Sequence, residues 1–455
     1  MEYEVVVIGA GIGGLTAAAV LAKRGVNVCL LERQPYAGGC AAVVEHTGYQ
    51  FEPTHGFYCG WEPNGVFDRL FTELTVRAPR AQLVSTPYLV RLPDGLDIPR
   101  IIDYEDLEAS LPAAFPECAE AAIEFYRDLI NRSSSDTKAG ALEHPGSCSA
   151  RFRDFIDIQL KALAQCSIVA CSPQLAASAL DPQRSFWEIE GGVQSLIDSL
   201  MASFKHSGGK LRLNSPVLRL AYGPDGAPVG VDLLNGERVS ATRAIVSNLT
   251  IWDTYGKLVG PGRTPRQISS MLKGLSALGS YQMFLTIAES AAATLPAKRI
   301  LLQTPHHDQD SSESEAQLFF HLSSGKQENS SRADYTAVVS TYADAEDWFS
   351  FHEDLAAFEE RDRLMLESTW TRLHSAMPEL GDAVELIETA TPQTFYETTR
   401  RRFGMIGRPT TASVTNSMAE TPFPNLLLVG DTVAGTFGLD GIVESAWDAA
   451  RQLIS

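Results

Sequence analysis

The chain has 455 residues, and with 37 Lys+Arg against 56 Asp+Glu it carries a formal charge of −19. Apolar residues make up 44% and charged residues 20%, a globular composition that excludes a disordered chain; at about 150 residues per domain the length suits two or three domains. The acidic balance excludes a protein that coats nucleic acid, which needs a basic face to displace counterions, and argues against general adhesion to an anionic membrane.

In chain order, Glu4–Ile8 (EVVVI) reads as a short strand buried on both faces. Gly9–Gly14 is a tight turn, Leu15–Arg24 an Ala/Leu-rich helix, Gly25 its C′ glycine, and Val26–Leu31 a second buried strand with Glu32 at its end. After Asn64, Val66, Phe67, Leu70, Phe71 and Leu74 share one helical face. Tyr88–Ile102 suggests strands around a Pro-Asp-Gly turn, and Pro116–Ile130 an amphipathic helix. Residues 131–150 are polar and read as loop, and 151–180 as helix broken at Pro173. A helix follows Gly191, and 211–222, 229–234 and 238–246 read as a small three-stranded sheet. Ser280–Ala288, Leu318–Leu322, Ala337–Tyr342 and Ala383–Thr391 are further strands, with a helix from about Glu353 to Ala376. Asn425–Gly430 is a last buried strand and Ile442–Ile454 a closing helix.

Charge and cysteine add bounds. Residues 303–370 hold 15 acids and four bases, a net −11, and read as solvated loops and an exposed helix. Residues 254–288 hold four bases (Lys257, Arg263, Arg266, Lys273) and no acid; with Leu258, Ile268, Met271 and Leu272 among them they suit either a solvated helix face or peripheral contact with a membrane. The seven cysteines contain no CxxC pair, so a reducing compartment and no metal site are expected. Strand-like sequence begins within five residues of Met1, and no run of about 18 apolar residues occurs. A cytoplasmic location is therefore expected.

The strongest motif is Gly9-Ala10-Gly11-Ile12-Gly13-Gly14, a G-x-G-x-x-G that leaves a strand and opens a helix. Gly9 permits the turn, Gly11 lets the backbone approach a pyrophosphate, and Gly14 lets helix and strand pack closely. The phosphates then face Ile12 and Gly13 at the helix N-terminus, where free N–H groups and the dipole favour anions. Glu32 is the expected acceptor for the ribose hydroxyls, and its charge disfavours a 2′-phosphate. After Glu32 and Arg33, the pair Gly38-Gly39 brings a second backbone turn to a long cofactor.

This arrangement resembles the FAD site of the amine oxidase and phytoene desaturase superfamily. The C-terminal Val429-Gly430-Asp431, followed by GTFGLDGIVESA, is similar to that superfamily's closing motif. The resemblance implies that Asp431 contacts the ribityl–pyrophosphate region, that the backbone of Gly441 and Ile442 faces the flavin pyrimidine end, and that Val217 reads adenine. Thr47–Glu52, the strand end Ala244–Asn248, and Pro392, Thr394 and Phe395 before Arg400–Arg402 and Gly404 resemble the phytoene desaturase, carotenoid isomerase and retinol saturase branch. Glu52-Pro53-Thr54-His55-Gly56 departs from that branch's aspartate followed by Gly-Pro-Thr.

The resemblance implies an α/β fold, a Rossmann-type FAD-binding domain (1–85, 186–255, 391–455) interleaved with an α+β substrate domain containing a mixed sheet (86–185, 256–390). It implies redox work on an extended apolar substrate by hydride exchange with flavin N5: desaturation, saturation or isomerisation of a polyene, with oxygen or a quinone as reoxidant. Two rivals remain, a flavin amine oxidase and a non-enzymatic binder of prenylated cargo. Such chemistry needs no strong base, so catalytic residues are only weakly marked. His55 suits an acid/base, a flavin tether or a structural role. Cys40 suits packing or the flavin face, Tyr396 the substrate side or the core, and Arg401 or its neighbours charge compensation.

Overall fold

The computed structural model describes residues 1–133, 148–276, 278–305, 317–329, 332–349, 354–409, 421–434 and 437–454. Most of the loop expected over 131–150 lies outside the described residues, as does part of the acidic 303–370 segment.

Val5, Val6 and Val7 are fully buried, as a β-branched run covered on both faces must be. Their strand, Glu2–Ile8, lies parallel between Val28–Leu31 and Arg238–Ser247 in a seven-stranded sheet. Lys210–Arg212 extends the sheet beside Val28–Leu31, and Leu426–Leu428 lies parallel to Arg238–Ser247. Every residue of Ile12–Ala22 is buried. That helix is apolar all round because it sits inside the layer, against the helices Gly192–His206 and Gly438–Ile454. It ends at Arg24, and Gly25 follows at φ +84°, the left-handed turn a C′ glycine supplies.

The small separate sheet expected over 211–246 is instead one flank of this large one. Val217–Tyr222, Pro228–Leu233 and Arg238–Ser247 are antiparallel neighbours, but the third strand runs ten residues and its second half pairs with Glu2–Ile8. Asn214 at φ +52° and Pro216 break the first stretch, which frees Lys210–Arg212 to pair elsewhere.

A second seven-stranded sheet runs in the order Val384–Ala390, Leu278–Ile287, Arg332–Asp344, Gln317–Asn329, Arg299–Gln303, Leu89–Arg91, Asp97–Pro99. It is antiparallel except where Arg299–Gln303 meets Leu89–Arg91. Alternate residues of Leu278–Ile287 serve opposite faces. Tyr281, Met283, Leu285 and Ile287 join Met365 and Leu373 of the helix Leu355–Ala376, whereas Phe284 packs with Tyr49 and Phe51. The helices Tyr104–Ala114, Ala119–Ser133, Ala150–Ala164 and Pro173–Leu180 form a further core with Leu301, Phe319 and Tyr342.

Pro173 starts a helix rather than breaking one: it stands at the first turn, with the Ser172 hydroxyl accepting from the Leu175 N–H at 3.2 Å. The helix Tyr104–Ala114 and the strand Arg299–Gln303 are additions to the elements read from sequence. In the basic stretch, Leu258 is buried and Ile268, Met271 and Leu272 pack against the core beside the first sheet, so its apolar side faces inward. Lys257, Arg263, Arg266 and Lys273 remain exposed. Among the described residues no helix is long and apolar enough to cross a membrane.

Candidate active site

The turn Gly9–Gly14 opens the floor of a cavity of about 460 Å³. Gly11 is the N-cap of the helix Ile12–Lys23, and no side chain caps it. The N–H groups of its first turn therefore lack intrahelical partners and face the cavity as anion donors. Space is tight. A Cβ on Gly14 would lie 2.0 Å from the Gly9 carbonyl oxygen, and Cβ atoms on Gly11 and Gly13 would lie 2.8 and 2.7 Å from the Asn248 amide. The second glycine turn meets the first: Gly38, at φ +119°, donates its N–H to the Ala10 carbonyl at 2.8 Å, and a Cβ on Gly39 would lie 3.2 Å from the Gly11 Cα.

Glu32 is buried at the cavity edge. Its Oε2 accepts from the Ala10 N–H and its Oε1 from the Gln34 N–H, both at 2.8 Å. Each oxygen keeps a further lone pair for a hydroxyl. Val217 and its neighbours Ser215, Pro216 and Leu218 line the same cavity. So do Arg33, whose guanidinium donates to the Thr398 carbonyl at 3.2 Å, and Lys257, paired with Asp253 at 2.7 Å. The residues present fit a long dinucleotide cofactor: an uncapped helix N-terminus for phosphate, a buried carboxylate for a diol, and two touching glycine turns.

A second cavity, of about 220 Å³, shares Cys40, Ala41, Asp431, Leu439 and Ile442 with the first. Asp431 follows the strand Leu426–Leu428, and its Oδ2 accepts from Arg401 Nη2 at 2.8 Å. Burial opposes the Arg401 charge, but the Asp431 carboxylate raises its pKa overall. The Thr391-Pro-Gln-Thr394 motif explains how Arg401 arrives there. It is a capping box, with Thr391 Oγ1 accepting from the Thr394 N–H at 3.3 Å and Thr394 Oγ1 from the Thr391 N–H at 3.1 Å, opening the helix Pro392–Thr399. Gly404, at φ +61°, then packs back on Pro392, where a Cβ would lie 1.7 Å from its carbonyl oxygen.

The second cavity is walled by Phe57, Leu163, Phe186, Tyr342, Phe395 and Phe437 among others. His55 lies in it with both ring nitrogens engaged, Nε2 with Ser340 Oγ at 3.0 Å and Nδ1 near the Ala162 carbonyl at 3.4 Å. Its ring lies over Phe319 at a 4.9 Å centroid distance, and burial pushes its pKa down to about 4. Arg184 is neutralised by Asp440 at 2.8 Å and lies over the Phe437 ring. Tyr396 lines neither cavity; its ring meets Phe349 edge-on, with the Arg400 guanidinium 5.0 Å from its centroid.

The closing helix begins at Gly438, four residues before the expected Ile442, because Gly438 takes φ +80° and starts the turn. Gly441 lies in its first turn, and Ile442 lines both cavities. The Asp440 carboxylate takes hydrogen bonds from its own N–H and that of Gly441; burial is nevertheless the larger effect and raises its pKa.

Three residues of the site carried no role in the sequence reading. Asn248 packs against Gly9, Gly11, Gly13 and Gly430, and its Nδ2 donates to the Gly9 carbonyl at 3.5 Å. Its available signal was its place just after the strand Arg238–Ser247. Glu52 accepts from the Thr54 and Tyr58 hydroxyls and from the Val193 N–H at 3.1 Å, placing a carboxylate at the N-terminus of Gly192–His206 and holding the loop that carries His55. Arg184 had no local signal, since its partner Asp440 is 256 residues away.

The family model for flavin containing amine oxidoreductases matches residues 12–454. Among curated relatives, prolycopene isomerase 2 of an Oncidium hybrid cultivar is 26% identical over 94% of this chain and 79% of its own length. Human all-trans-retinol 13,14-reductase is 23% identical over 98% of this chain and 84% of its own. Among solved structures, an oxidoreductase from Methanosarcina mazei superposes over 99% of this chain and 100% of its own with a TM-score of 0.71 at 17% identity, a likeness of fold.

Proposed function

The chain belongs to the flavin containing amine oxidoreductase family and is an FAD-dependent oxidoreductase; from that premise we propose that its substrate is an extended, largely apolar polyene of carotenoid or isoprenoid type. The observation that carries this reading is the second cavity, walled mostly by aromatic and aliphatic side chains and sharing Cys40, Ala41, Asp431, Leu439 and Ile442 with the cofactor cavity. Nothing in it is poised as a strong base: Asp431 and Asp440 are paired with arginines and His55 is neutral. A polyene offers no acidic proton and needs none. The polyene names of the relatives support the same reading.

Bound FAD supplies hydride exchange at flavin N5. The N–H groups from Gly11 to Gly13 hold the phosphates, Glu32 the adenosine ribose, and Val217 the adenine. Gly38 and Gly39 would hold the middle of the cofactor by their backbone, and Asp431, fixed by Arg401, would hold its ribityl side. The helix that starts at Gly438, with Gly441 and Ile442, would offer its positive end to the flavin. Segments 1–85, 186–255 and 391–455 hold the cofactor; 86–185 and 256–390 orient the polyene and exclude water from the reacting carbons. Oxygen or a quinone serves as reoxidant where the reaction is a net oxidation.

The test is product analysis of the FAD-loaded protein with polyenes and with amines, flavin oxidised and reduced. A changed number or geometry of double bonds in a polyene is the expected outcome. Turnover of amines alone would contradict it.

A further inference from the structure

Of the two arginines that line the second cavity, Arg184 is neutralised, whereas Arg408 has no counter-charge among the described residues. Arg184 is paired with Asp440 and donates to Cys59 Sγ at 3.2 Å, while Arg401 is paired with Asp431. Arg408 lines the same cavity, half-buried, and its guanidinium makes no hydrogen bond or ion pair with any described residue. Its Nη1 is shut off from solvent without a partner among the described residues. Burial lowers its pKa, the direction expected of a cation short of a counter-charge.

The position is built rather than incidental. The Arg408 N–H donates to Gln165 Oε1 at 3.2 Å, at the left-handed end of the helix Ala150–Ala164. The preceding Gly407, at φ +65°, packs so closely on that glutamine that a Cβ would lie 1.5 Å from Oε1. The loop is therefore pinned with its cation in the wall of the chamber. An unpaired guanidinium in such a place is costly unless a ligand supplies the anion, and its fork matches a carboxylate with two parallel hydrogen bonds.

We propose that Arg408 anchors a carboxylate at one end of the substrate, so that this chain acts on a polyene acid rather than on a hydrocarbon. This rests on the reading that the second cavity holds the substrate.

The experiment is a spectral titration of the FAD-loaded protein with a polyene acid, the alcohol and the hydrocarbon of the same chain, and the saturated acid. It is run on the wild type, Arg408→Lys and Arg408→Leu. The wild type is expected to bind the polyene acid about tenfold to a hundredfold more tightly than the hydrocarbon. Arg408→Leu erases that preference and Arg408→Lys keeps part of it, with the ligand-free flavin spectrum unchanged in all three. Equal affinity for acid and hydrocarbon overturns the proposal. So does a preference that survives Arg408→Leu, or a ligand-free flavin spectrum altered by that variant, which would assign Arg408 to the cofactor. Arg408-dependent binding of both acids without any reaction of the polyene supports the anchor while removing the polyene reading.

Discussion

His55 shows how burial decides what a residue is able to do. Its imidazole stands in the substrate chamber, where a histidine invites an acid/base role, yet both nitrogens are occupied and desolvation holds its pKa near 4. It therefore gives up no proton near neutral pH. In the unfolded chain it titrates near 6.5, so between these values the unfolded state binds the extra proton. Stability is then full above about pH 6.5 and falls as pH drops towards 4, by about 3 kcal/mol for this group alone. Comparing denaturant unfolding of wild type and His55→Phe between pH 7 and pH 4.5 checks this. The acid loss should shrink in the variant, and an equal loss in both would refute it. At the same scale, the glycines and Glu32 were legible because their work is local: a turn, a helix start, a strand end. Asn248, Arg184 and Arg408 were not, because each acquires its meaning from groups brought from elsewhere in the chain.

Among elements, the helix Arg266–Lys273 separates two uses of an amphipathic sequence. Its bases and apolar residues together suited either a solvated face or a membrane surface, but Ile268, Met271 and Leu272 are turned onto the core next to the first sheet, and the bases face out with Gln267 and Ser270. Attachment to anionic vesicles should accordingly be electrostatic alone and vanish in high salt, where the Debye length shrinks to about 3 Å. Leu272→Ala should lower stability by about 1–2 kcal/mol, less than a fully buried leucine because it is only partly covered, and leave vesicle binding unchanged. Sedimentation with vesicles and denaturant melts measure both; salt-resistant binding lost in Leu272→Ala would contradict the inward face. Strands read well from β-branched runs. The three strands from Val217 to Ser247 were legible as neighbours, but not as part of the large sheet, since parallel pairing with Glu2–Ile8 joins residues over 230 positions apart and leaves no local trace.

For the whole molecule, two sheets and the cavities between their loops explain why one chain needs both its ends. The strands of the first sheet come from residues 2–31, 210–247 and 426–428, and those of the second from 89–99, 278–344 and 384–390. The acidic total sits unevenly: 303–370 supplies −11 of the −19, while the first cavity is lined by Arg33, Lys257, Arg400 and Arg401 against Glu32, Asp253 and Asp431. That the N-terminal glycines and Asp431 line one cavity was foreseeable from motif resemblance. The Asn248 amide that joins Gly11 and Gly13 to Gly430 was not, being a contact that only the folded sheet creates. The central claim is that these parts form one FAD site. Cofactor content of the purified protein, beside Gly11→Val, whose added side chain meets the Asn248 amide and the cavity, tests it most directly. The wild type should hold one FAD per chain, and the variant at least tenfold less with its circular dichroism unchanged. A wild type that takes up no FAD when supplied with it, or a folded variant that keeps it in full, would contradict the account.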